Sequence, residues 1–178
     1  MTAEENQSRV PIPEAVELAQ LQPQTAAVVR EHVATDRIAE FLGSAYREIM
    51  IALDEQDLAP AGPPFGRWQP QGDGFDAEAG FPSTGPVAPA GRVQPQMLPG
   101  GLAATAVHHG DYAGLGTTYR VLSDWIADHG YVTTGQPWEC YLDEPDVPEP
   151  RTQVYLPCAG GPPPSVSPLK APGMKEES

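Results

Sequence analysis

Residues 42–47 read LGSAYR and residues 115–120 read LGTTYR, and the same interval carries GPPFGRW at 62–68 onto GQPWECY at 135–141. A duplication of this kind constrains the fold more than any single motif. Two copies of one supersecondary unit normally bury their apolar faces against each other. The chain reads as one unit written twice, and the differences between the copies mark where function departs from architecture. Gly66 in the first copy stands where Glu139 stands in the second, so one carboxylate enters an otherwise symmetric frame.

Each copy has the same order of elements. Ala26 to Ala34 reads as a strand, and Ile38, Phe41, Leu42, Ala45, Ile49 and Leu53 recur at helical spacing. The spacing predicts a helix over 36–55 with Thr35 or Asp36 as its cap. Residues 57–64, DLAPAGPP, end it, and two strands follow through Phe81. The second copy repeats this with a strand from Leu102 to His109, a helix bearing Leu115, Tyr119, Leu122 and Ile126, and the strands PWECYL and TQVYLPC. The expected fold is α+β: a tandem βαββ repeat with pseudo-twofold symmetry, mostly antiparallel sheets, helices on one face and a central ligand cleft. Composition divides the chain into an N-terminal tail at 1–21, one domain at 22–158 (copies at about 22–90 and 91–158), and a mobile Pro/Gly-rich tail at 159–178.

Strand alternation puts Trp138, Cys140 and Leu142 on one face of PWECYL and Glu139 with Tyr141 on the other. The repeat brings Trp68 near both, opposite the small Gly66. The cavity so predicted has aromatic walls and one carboxylate. A cavity of this kind attracts a delocalised cation, by charge at lowered dielectric and by ring faces, each adding about 0.5–2 kcal/mol.

In that order, GPPFGRW, FDAEAGFP, GRV followed by LPGG, HHGDY, a tyrosine-bearing helix ending WIADHGY, and PWECYL before TQVYLP resemble the GyrI-like, AraC-type effector-binding domain. The resemblance covers roughly 22–158. It implies two βαββ units around a ligand cleft that takes bulky, often cationic, aromatic compounds, either in transcription regulators or in stand-alone multidrug-binding proteins. It places the family's central glutamate on Glu139, and Trp68 stands where a strand tyrosine is frequent. Asp111 replaces the proline common in the family's HxGPY motif. The stretch before residue 22 is too short for a helix-turn-helix, which points to a stand-alone member without direct nucleic-acid contact.

The ligand-site candidates are Glu139, Tyr141 and Trp68, followed by Phe81, His108 and Tyr112. The competing reading of Glu139 is an exposed strand residue, and that of the aromatics is core packing. Tyr46, Tyr119, Trp125 and Trp138 are read as packing or interface residues. As an enzyme, the chain would use Glu139 and Tyr141 as acid and base, and some relatives implied by the resemblance hydrolyse cyclopropane-containing toxins. A third reading is a protein-interaction module of the gyrase-inhibiting kind.

A net charge of −14 and a pI near 4.4 disfavour nucleic-acid and anionic-membrane partners, and no apolar run approaches the ~20 residues of a membrane span. Neither a secretory signal nor a disulfide framework is evident, so a cytoplasmic location is expected. A hairpin turning near residue 147 sets Cys140 opposite a position near Val154, which leaves Cys140 and Cys158 as free thiols. His108 and His109 point to opposite faces of a strand and cannot share a metal, and no metal or other cofactor is expected.

Overall fold

The structure, a computed structural model, describes residues 15–161. Of the tails expected over 1–21 and 159–178, residues 1–14 and 162–178 lie outside the described residues, and residues 159 and 160 belong to the last strand. The first unit comprises β1 (Glu17–Leu21), β2 (Gln24–Ala34), α1 (Ile38–Glu55), β3 (Phe65–Gln71) and β4 (Gly74–Pro82). The second comprises β5 (Gln94–Leu98), β6 (Gly101–His109), α2 (Leu115–Asp128), β7 (Tyr131–Thr133), β8 (Trp138–Tyr141) and β9 (Arg151–Gly160).

All strands join one antiparallel sheet in the order β1-β6-β9-β8-β3-β4-β2-β5, with β7 added beside β9. Read from either end, the order exchanges the two units, so the pseudo-twofold axis passes between β3 and β8. The edge strands are swapped, since β1 of the first unit pairs β6 of the second and β5 of the second pairs β2 of the first. Two-residue connections join β1 to β2 and β5 to β6, although these strands lie at opposite ends of the order, so the sheet curls. The connections also meet, because a Cβ at Gly100 would lie 2.5 Å from Pro23.

Six residues in direct register cross the sheet: Val29, Ala79, Gly66, Glu139, Val154 and Ala106. Opposed residues of antiparallel strands point to the same face. Val29 and Ala79 pack with Phe41, Ala45 and Ile49 of α1, while Val154 and Ala106 pack with Leu122 and Ile126 of α2. Both helices therefore cover the same face, one over each half, as the repeat predicts. The opposite face encloses Ala26, Val28, Phe65, Leu98 and Trp138 inside the curl. At about 25 cal/mol per Å² of apolar area, these three clusters supply the main stabilising contribution.

Two of the expectations from sequence need correction, and one strand has no counterpart among them. Residues 17–21, assigned to a tail, form an edge strand whose polar side chains are compatible with its half-exposed pattern. The β5 strand was not anticipated, because Pro95 and two glutamines disguise it. Neither Thr35 nor Asp36 caps α1: a 3-10 turn at Thr35–Arg37 precedes it, Arg37 takes the cap position, and Thr35 Oγ1 turns to the Asp73 carbonyl at 3.4 Å. Cys140 faces Gln153, next to Val154 as the hairpin predicts, and Asp143 accepts the Arg151 N–H at 2.9 Å in the β8–β9 connection. The thiols are free, with Cys140 packed inside the curl and Cys158 under α2.

Candidate ligand-binding cleft

Because each helix covers its own half, the central strands β3 and β8 form the floor of a groove between them. That groove is a cleft of about 1320 Å³. Alternation along β3 and β8 turns Trp68, Glu139 and Tyr141 into it. Ile38, Leu42 and Tyr46 of α1 line one wall, and Leu115 and Tyr119 of α2 line the other. Phe75 and Phe81 of β4 extend the apolar surface, while Tyr112, Asp143, Glu144 and Val147 also border the cleft.

Glu139 is the charged centre of the floor, and only 6% of it is exposed. Its Oε1 accepts the Tyr119 hydroxyl at 2.6 Å and its Oε2 accepts the Tyr141 hydroxyl at 2.8 Å. Tyr141 in turn accepts the indole N–H of Trp68 at 3.0 Å. Burial pushes the Glu139 carboxyl above its ordinary range, and the hydrogen bonds from Tyr119, Tyr141 and Trp68 oppose that rise. The Tyr119, Tyr141 and Tyr46 hydroxyls are all pushed up, chiefly by burial, so they remain protonated donors at neutral pH.

The axis runs between Gly66 and Glu139, which are both repeat equivalents and direct partners across β3 and β8. A Cβ at Gly66 would lie 2.7 Å from the Tyr141 hydroxyl and 2.9 Å from the Trp68 indole nitrogen. The missing side chain in one copy is thus the space occupied by the hydrogen-bond network of the other. The helix tyrosines show the same asymmetry. Tyr119 bonds the carboxylate, whereas Tyr46, its equivalent, has no carboxylate to meet and donates to the Phe65 carbonyl at 2.9 Å.

The structure brings five of the six candidates to the cleft. Trp68, Glu139 and Tyr141 form its floor. Phe81 meets Tyr46 edge-on at 5.2 Å, and Tyr112 meets Tyr141 edge-on at 5.8 Å. His108 does not reach it: the ring is 1% exposed, its Nδ1 lies 3.1 Å from Thr118 Oγ1, and its Nε2 lies 2.7 Å from the Asp111 carbonyl. It anchors the start of α2 beneath the site. Tyr46 and Tyr119 were read as packing residues, yet both line the cleft and Tyr119 holds Glu139 directly. The signal for them was the duplicated LGSAYR/LGTTYR motif, which places two phenols at equivalent helix positions. Trp138 stacks on Tyr155 inside the curl, and Trp125 stacks on His129 and Tyr131, away from the cleft lining.

The acidic 143–149 segment takes part in the rim of the cleft. Asp143 is gripped by the Arg151 side chain at 2.8 and 3.0 Å, which holds its carboxyl down at about 2, and with Glu144 it borders the cleft. Among the described residues, no group of His, Cys, Asp and Glu could hold a metal ion, and no helix is long and apolar enough to cross a membrane.

An α+β domain with a twofold axis through an apolar, carboxylate-floored cleft is the architecture of a small-molecule-binding domain. The model of the GyrI-like small molecule binding domain matches residues 14–159, and the chain belongs to that family. No curated protein matches it in sequence. The chain is similar in structure to the EcmrR C-terminal domain, with TM-score 0.72 and 22% identity over 82% of this chain and 97% of that one. In the EcmrR–DNA complex the match spans 57% of the longer EcmrR chain. It is also similar to a hydrolase encoded by lin2189 from Listeria innocua, with TM-score 0.61 and 14% identity over 81% and 91% of the two chains. SAV2435 bound to tetraphenylphosphonium gives TM-score 0.54 and 17% identity over 82% and 94%. At these identities the likeness is one of fold.

Proposed function

We propose that this protein binds bulky hydrophobic aromatic compounds, preferably cations, in the cleft between α1 and α2, and so sequesters or senses them. One observation carries the reading: a buried carboxylate, Glu139, forms the floor of a large apolar cleft, with its oxygens held by two phenols. A cation replaces the solvation that burial removed from Glu139, while its rings meet Trp68, Phe81, Tyr112 and Tyr141. At about 25 cal/mol per Å², covering 300 Å² of apolar ligand surface yields roughly 7 kcal/mol before ordering costs, without demanding a fixed ligand shape. Ligand pockets commonly span about 300–1,000 Å³, so a cleft of about 1320 Å³ suits large ligands. SAV2435, which shares the fold, has a structure with tetraphenylphosphonium, a cation of this class.

Titrating the protein and its Glu139→Gln variant with a cationic and a neutral dye of similar shape tests the reading. The expected result is a loss of about tenfold or more for the cation and about twofold or less for the neutral dye. Equal losses, or none, would remove the electrostatic basis of the proposal.

A second reading, hydrolysis, draws on the convergence of one carboxyl and two phenols in the cleft. Ionised Glu139 would take a proton from a water that attacks a strained cyclopropane carbon, and Tyr141 would protonate the carbon released as the ring bond breaks. Turnover of a cyclopropane electrophile that disappears in Glu139→Gln would establish it, and binding without turnover would exclude it.

A further inference from the structure

The reverse of the central strands holds a second charged group that the cleft does not use. Arg67 lies between Gly66 and Trp68 on β3, so its side chain points to the opposite face, which carries Phe65 and Trp138. That side chain is 12% exposed, and its guanidinium carbon sits 5.5 Å from the centre of the Trp138 ring. Its Nε is buried without a hydrogen-bond partner. The nearby acid, Glu78, stands 3.8 Å from that nitrogen, with an unpartnered Oε1 of its own, and gives its other oxygen to Arg30 at 2.7 Å. Two arginines thus share one carboxylate, and the Arg67 Nε is left without an acceptor.

Arg67 forms part of the wall of a separate cavity of about 530 Å³. The rest of that wall comes from the β5–β6 connection, from the segment Thr134, Gly135 and Gln136, and from the end of β9. Leu102, Pro157 and Cys158 supply apolar surface, and Thr134 and Gln136 supply polar side chains. A guanidinium on so deeply buried a side chain, with its Nε unpartnered, is costly unless an acceptor meets it, and its planar fork matches the two oxygens of a carboxylate. We propose that this cavity is a second binding site, for a small organic carboxylate, anchored by the Arg67 guanidinium and independent of the cationic cleft on the other face. Stacking on Trp138 holds the guanidinium plane in place, and the apolar wall takes the body of the anion.

Benzoate serves as the probe, with benzyl alcohol as its neutral counterpart and inorganic phosphate as the purely charged one, each titrated into the full chain by calorimetry and by amide chemical-shift mapping. Benzoate is expected to saturate in the millimolar range, to shift amides at 100–102 and 134–136, and to bind about tenfold more weakly to Arg67→Met. Arg67→Lys keeps the charge without the fork, serves where Arg67→Met does not fold, and is expected to lose about threefold or more. The proposal is overturned by no benzoate binding at tens of millimolar, by shifts confined to the cleft residues, by equal affinity in Arg67→Lys, or by benzyl alcohol or phosphate binding as well as benzoate.

Discussion

The position that most sharply couples the duplicated architecture to the site is Gly66. In Gly66→Ala the new Cβ would lie 2.7 Å from the Tyr141 hydroxyl, about 0.7 Å inside an ordinary contact. The hydroxyl can swing away, so the cost lies in what the swing breaks. Moving it by that amount stretches the 2.8 Å bond to Glu139 to about 3.5 Å, outside hydrogen-bond range, and also disturbs the 3.0 Å bond from Trp68. A hydrogen bond to a charged acceptor contributes about 1.5–3 kcal/mol, and the stiffer unfolded chain of an alanine returns about 0.4–1 kcal/mol. The net loss is about 1–2 kcal/mol, or about 2–8 °C in melting temperature for a chain of this size. Glu139 also loses one of the bonds that hold its carboxyl down, so cation affinity at neutral pH falls as well. Thermal melts paired with dye titrations measure both effects. A Gly66→Ala protein that melts and binds like the parent would refute the claim that this glycine exists to accommodate the Glu139 network.

Proton linkage yields a test with two opposite signs. Because the Glu139 carboxyl is raised in the folded state, its stability contribution is present below the unfolded carboxyl range and is lost as pH rises through the folded value. Cation affinity, which needs the carboxylate, rises over the same interval, and both trends should vanish in Glu139→Gln, whose side chain does not titrate. Tyr119→Phe removes the 2.6 Å donor that most opposes the burial effect. The midpoint of cation binding against pH should therefore move upward, whereas a merely structural tyrosine would leave it in place.

Much of this site was legible because the symmetry axis passes through it. Equivalence in the repeat and proximity in space coincide only near the axis, so aligning Gly66 with Glu139 and Trp68 with Tyr141 also placed them together. Away from the axis the same reasoning carried less. Tyr46 and Tyr119 occupy an apolar helical stripe, where a phenol that packs and a phenol that bonds a carboxylate leave the same pattern. His108 was placed on the correct strand, but alternation alone does not say whether the inward face meets a cleft or the underside of α2. The swapped edge strands left almost no trace, because a strand paired along one edge tolerates polar residues and proline.

The measurement closest to the central claim compares tetraphenylphosphonium with tetraphenylborate, which share size and shape and differ in the sign of their charge. Titrated separately into the wild-type chain at neutral pH, the cation is expected to bind at least about tenfold more tightly, with the preference lost in Glu139→Gln. Equal affinities, or a preference for the anion, would contradict a cleft whose selectivity comes from its single buried carboxylate.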